Sequence, residues 1–182
     1  MSLGRNFSFR IPPLPDHRLG RFKTGASAIV QGAPVKSNSV DATDKRNVMA
    51  LATGAQDPVK GLSGIVVWEE PWFPFDGQDR GLFRPGSDLD TVPAHTPAQV
   101  VHGDEVKVLF ENTSDDTFVT TDYDGRVMVA GVGSLAVGDL LTPGTGNDTD
   151  GYWAKTTTAS QGWLRVTYVD STNGLVEAQM LF

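Results

Sequence analysis

The sequence predicts a mainly β protein: a small antiparallel β-barrel or sandwich with an extended N-terminal arm and a long loop rich in proline and aromatics. A shared turn pattern, a series of short strands and a scarcity of helix signals predict it. The pattern is two apolar residues, a spacer, a glycine, Ala or Asp, another spacer and an apolar residue. It occurs as Ile29-Val30-Gln31-Gly32-Ala33-Pro34-Val35, Val100-Val101-His102-Gly103-Asp104-Glu105-Val106 and Leu135-Ala136-Val137-Gly138-Asp139-Leu140-Leu141. Glycine reaches positive φ without a Cβ clash, so each copy can turn sharply out of one extended run into the next. An Asp after the glycine can accept a nearby backbone N–H and hold the turn.

Residues 1–20 read as an extended arm. Phe7, Phe9 and Ile11 alternate like a strand, but Pro12, Pro13 and Pro15 follow and supply no ladder donors. The alternation favours docking against a partner over a frayed terminus, with Arg5 and Arg10 beside the apolar side chains. The body is a single β domain over 21–182. Its expected strands are Ala26–Gln31, Asn47–Ala52, Val59–Glu70, Gln99–Glu111, Phe118–Thr121, Arg126–Ala130, Tyr152–Thr158, Gly162–Val169 and Leu175–Phe182. One short helix is expected at Ser39–Lys45, without an apolar stripe. The last two strands make the clearest hairpin, with Leu164, Val166 and Tyr168 alternating before a turn that ends in Asn173-Gly174. Val176, Ala178, Met180 and Phe182 then share one face.

Residues 71–98 interrupt this order. They hold Pro71, Pro74, Pro85, Pro93 and Pro97 together with Trp72, Phe73, Phe75 and Phe83, and show neither period. Disordered segments are poor in aromatics, so this loop is expected to pack on a surface. Trp72, Phe73 and Phe75 are its candidate anchors across a subunit boundary. Phe73 and Phe75 share one side of an extended chain that Pro71 and Pro74 stiffen.

The bulk composition narrows the function. At 182 residues and 39% hydrophobic content the chain suits one domain. No apolar run approaches the about 20 residues of a spanning helix, so no membrane partner is expected. The start Met1-Ser2-Leu3-Gly4-Arg5-Asn6 lacks the apolar stretch of a signal peptide, which predicts synthesis in a cytoplasm without export. With no cysteine there are no disulfides, thiolate metal sites or Cys nucleophile. Residues 1–23 carry Arg5, Arg10, Arg18, Arg21 and Lys23 against Asp16, a net of +4 that leaves −11 on the rest of a chain totalling −7. Such a leader suits an acidic surface, including another copy's, while the body is too acidic to bind nucleic acid directly.

The chemical motifs each fail on context. Gly131-Val132-Gly133-Ser134-Leu135-Ala136 fits a dinucleotide fingerprint, but Gly138, Pro143, Gly144 and Gly146 forbid the helix that must follow. Asn147-Asp148-Thr149-Asp150-Gly151 resembles part of a calcium loop, yet Gly146 and Thr157 stand where Asp and Glu are required. A solvated turn explains it better, and weak calcium binding in another geometry stays open. Glu69 and Glu70 point to opposite faces of a strand and cannot flank one glycosidic bond. His17, His95 and His102 fit no metal spacing. No nucleophile elbow and no Walker loop occur. The expectation is a non-enzymatic protein with no catalytic residue, cofactor or metal.

The turns themselves carry a resemblance. Gln31-Gly32-Ala33-Pro34-Val35, Gly61-Leu62-Ser63-Gly64-Ile65-Val66-Val67-Trp68 and Val137-Gly138-Asp139-Leu140-Leu141 resemble the capsid decoration (minor capsid) proteins of tailed bacteriophages over about two-thirds of the body. Residues 71–98 and the C-terminal hairpin lie outside it. The resemblance implies a homotrimer on the outer capsid surface of the virion, clamping neighbouring major capsid protein subunits through an N-terminal arm. Two other readings compete: a phage tail or baseplate subunit, and a sugar-binding module stacking ligands on exposed Trp68, Trp72, Trp153 and Trp163.

Overall fold

A computed structural model describes residues 9–10, 19–30, 32–68, 91–104, 106–111, 129–144 and 152–182. The chain is mainly β. In order, its strands are β1 (Phe9–Arg10), β2 (Leu19–Thr24), β3 (Ile29–Val30), β4 (Pro34–Val40), β5 (Asn47–Leu51), β6 (Ser63–Trp68), β7 (Thr91–Val92), β8 (Pro97–Val101), β9 (Lys107–Glu111), β10 (Leu140–Pro143), β11 (Trp153–Thr156), β12 (Leu164–Asp170) and β13 (Leu175–Met180). Five of them close a barrel in the order β2-β5-β4-β6-β8. Six form a second sheet, β1-β9-β13-β12-β10-β11, and β3 pairs with β7. All neighbours run antiparallel except β2 and β5, where Phe22 faces Asn47 in a parallel register.

The three repeated glycines all sit at positive φ: 84° at Gly32, 110° at Gly103 and 96° at Gly138. Their turns do separate jobs. Gly32 turns β3 into β4, Gly103 carries the chain from the barrel to the second sheet, and Gly138 leads into β10. At the third turn the Asp139 carboxylate accepts the Ala136 N–H at 2.9 Å, the hydrogen bond that the Asp was expected to make.

The C-terminal hairpin forms as β12 and β13, and its turn is held by Asp170, which accepts the backbone N–H groups of Thr172 and Asn173. One detail departs from strict alternation. The register shifts between Val166 and Tyr168, so Tyr168 leaves the buried row and is 50% exposed while Val166 stays inside.

Several expectations need correction. Gln99–Glu111 is not one strand, because His102, Gly103, Asp104 and Val106 lie outside any strand and β8 and β9 join different sheets. Ser39–Lys45 is not a helix. Ser39 and Val40 are the paired end of β4, and Asp41 then accepts the N–H groups of Thr43 and Asp44 in an Asx turn. That bond is also what a helix N-cap makes, so the local sequence suits both. Strands β2, β4 and β10 fell outside the expected set; Pro34 and the polar run Lys36–Ser39 hide β4. Residues 91–98, at the end of the expected loop, supply β7 and the start of β8, and the Thr24 hydroxyl accepts the Thr96 N–H there. The expected strand Phe118–Thr121 lies outside the described residues, and from Arg126–Ala130 only Val129 and Ala130 are described, Val129 bridging to Trp153.

Two cores result. Phe22, Ile29, Ala33, Val35, Met49, Val66, Val92, Ala98 and Val100 fill the barrel. The other core gathers Val108, Phe110, Leu141, Leu164, Val166, Val176, Ala178 and Met180 from the second sheet, and it also takes in Val30, Ala52, Ile65 and Val101 from barrel strands and their flanks.

Candidate interaction surface and the barrel–sheet joint

Of the side chains predicted to contact a partner, Phe9 and Arg10 are placed by their backbone. They form β1, the outer strand of the second sheet, opposite Phe110 and Leu109 of the same chain. Arg5, Phe7, Ile11, Trp72, Phe73 and Phe75 lie outside the described residues, as do Glu69, Glu70 and the Asn147–Gly151 segment. Leu19 and Gly20, at the end of the expected arm, pair with Val101 and Val100 and belong to the barrel.

Large apolar side chains exposed among the described residues include Val40, Val59, Leu62, Val137 and Tyr168. Val137, on the third glycine turn, is 68% exposed. Several charged groups form ion pairs. Lys23 lies 2.8 Å from Asp41 and 3.5 Å from Asp44. The Lys23 ammonium, followed by the backbone N–H groups of Asp44 and Thr43, holds the Asp41 carboxyl well below its usual range. Lys155 on β11 meets Asp139 at 2.6 Å and lowers it, helped by the Ala136 N–H. Glu177 is lowered first by the Thr167 hydroxyl and then by Lys107. Among the described residues no three His, Asp or Glu side chains converge as metal ligands would. Gly131–Ala136, the would-be dinucleotide turn, contains a short 3₁₀ turn at Val132–Ser134 with no helix after it before β10.

The competing sugar-binding reading needs Trp153 and Trp163 on the surface, but both are 0% exposed. Trp153 packs on Phe110 and Trp163, and Trp163 packs edge-on to Phe182. Each indole N–H reaches across to the barrel's turns and loops. Trp153 Nε1 donates to the Gly32 carbonyl at 2.9 Å, and Trp163 Nε1 donates to the Gln56 carbonyl at 2.8 Å. The signal for this joint was present in the doublets Ile29-Val30, Ile65-Val66 and Val100-Val101. Adjacent strand residues face opposite ways, so two apolar neighbours mean a strand buried on both sides. The first and third doublets split in one order, with Ile29 and Val100 in the barrel cluster and Val30 and Val101 in the shared core; Ile65-Val66 splits the other way, Ile65 in the shared core and Val66 in the barrel cluster.

No protein-family model matches this sequence, and no curated protein matches it. Among solved structures, the N base of the head fiber gp8.5 of bacteriophage phi29 aligns at a TM-score of 0.47 and 13% identity, over 90% of this chain and 92% of that chain. A likeness of this size fixes neither family nor activity.

Proposed function

We propose that this chain is a non-enzymatic structural protein of a phage virion, decorating the capsid shell as a trimer that clamps neighbouring major capsid subunits. The observation that carries the reading is the trio of glycine turns. The segments around Gly32 and Gly138 resemble capsid decoration proteins, and all three glycines adopt the positive φ that such turns require, within a mainly β body. Repeated modest interfaces, multiplied over a shell, give such a protein its avidity. In this reading Arg5, Phe7, Phe9, Arg10 and Ile11 dock on a neighbouring subunit, and Trp72, Phe73 and Phe75 cross the trimer boundary.

The sugar-binding alternative loses two of its four aromatic platforms, since Trp153 and Trp163 are core residues. Analytical ultracentrifugation separates the remaining readings. A trimer that adds to purified capsid shells supports decoration. A monomer that ignores shells overturns it, and a larger ring that ignores shells points to a tail or baseplate subunit.

A further inference from the structure

The barrel closes on itself, and its residues share a core cluster with Ile29 and Val92 of the β3–β7 pair. The chain passes between barrel and second sheet from β1 to β2 and again from β8 to β9, and substructures of this kind normally move and unfold separately unless their interface is large and apolar. The crossing from β8 to β9 is short, from Val101 to Lys107, and it is tied down at its glycine turn and just before β9. The Gly103 N–H donates to the Phe182 carbonyl at 2.9 Å, and the Met180 N–H donates to the Val106 carbonyl at 2.8 Å. The loop after β5 adds further ties: the Gly54 N–H donates to the Gly144 carbonyl, and the Ser160 hydroxyl donates to Asp57. At the centre lie the two tryptophans, each leaving the second sheet's core to satisfy a backbone carbonyl of the segment before β4 or the loop after β5.

We infer that this joint locks barrel and sheet into one unfolding unit, with the indole N–H groups of Trp153 and Trp163 as its two pins. The doublets supply the apolar contact, which has no preferred direction. The indoles supply direction, because each must meet one particular carbonyl. Phenylalanine at either position keeps a ring in the core but leaves the carbonyl without its donor, buried at Gly32 and part-buried at Gln56. The lock depends on residues within one chain and stands apart from any partner the protein has.

Hydrogen exchange on the full-length chain tests this, following β4 and β5 for the barrel and β12 and β13 for the sheet. In the wild type the slowest amides of the two sets should exchange at one rate, within about threefold, because both open only in global unfolding. In Trp153→Phe plus Trp163→Phe the sets should separate by about tenfold or more. Val35→Ala, inside the barrel, should speed both sets together. If the double variant does not fold, Trp153→Phe alone is read in the same way. Wild-type sets that already differ by about tenfold, or phenylalanine variants whose sets still exchange together, would overturn the lock.

Discussion

Gly64 lies on β6 with β8 directly behind it. A Cβ built there falls 2.2 Å from the Val101 carbonyl oxygen and 2.5 Å from a Val100 methyl. The carbonyl is backbone within a closed barrel, so it cannot swing aside as a flexible side chain could. Gly64→Ala should therefore cost about 3 kcal/mol or more in a denaturant titration, while Gly133→Ala, with nothing within 4 Å, should stay within about 0.5 kcal/mol of wild type. Thr142 offers the opposite case. Its hydroxyl is buried and has no hydrogen-bond partner among the described residues. Thr142→Val keeps the shape and removes the unpaired oxygen, so the same titration should show a gain of about 1 kcal/mol.

Among the elements, the turn before β10 shows how a local motif becomes a tertiary contact. Asp139 holds its own turn through Ala136 and also takes Lys155 from β11, the outer strand of the sheet. Asp139, Asp170 and Glu177 all have folded-state pKa values below their ordinary ones. A lowered carboxyl stabilises the fold above its unfolded pKa, near 4, and that stability is lost as pH falls through the folded value. Thermal midpoints should hold from pH 7 to about 5 and fall below about 4. Lys155→Met should lower the midpoint at pH 7 and narrow its gap to wild type in acid, once Asp139 is protonated in both. The hairpin was legible to its turn, since Asn173-Gly174 and Asp170 act over a few residues. Gly174, at φ 66°, supports a further check. Gly174→Ala should cost about 1–2 kcal/mol, read by thermal unfolding. The bulge that turns Tyr168 outward left no mark in the alternation of Leu164, Val166 and Tyr168.

For the whole molecule, the assembly reading predicts separable effects. Phe73→Ala plus Phe75→Ala removes two rings, each worth about 1.5–3 kcal/mol when fully buried. On that reading the trimer dissociates in sedimentation while the monomer keeps its β spectrum. Rings packed only within their own chain would instead lower the melting temperature with no change of mass. Truncation before Leu19 spares the barrel, whose β2 begins there, and should reduce binding to capsid shells with little loss of folded content.

What the sequence determined by itself was local. Glycine sterics placed Gly32, Gly103 and Gly138 in the left-handed region, and side-chain-to-backbone hydrogen bonds held turns at Asp139 and Asp170. Those interactions span a few residues, so a short window contains all their causes. Which sheet each strand joins was decided only by the tertiary structure. Gln99–Glu111 looks continuous, yet it divides between barrel and second sheet, and β2 lies parallel to β5. Trp153 and Trp163 became buried pins because carbonyls 121 and 107 residues away came within hydrogen-bond reach. Period-two alternation states that a strand has two faces; when both are apolar, only the packing of distant strands decides which core each face enters.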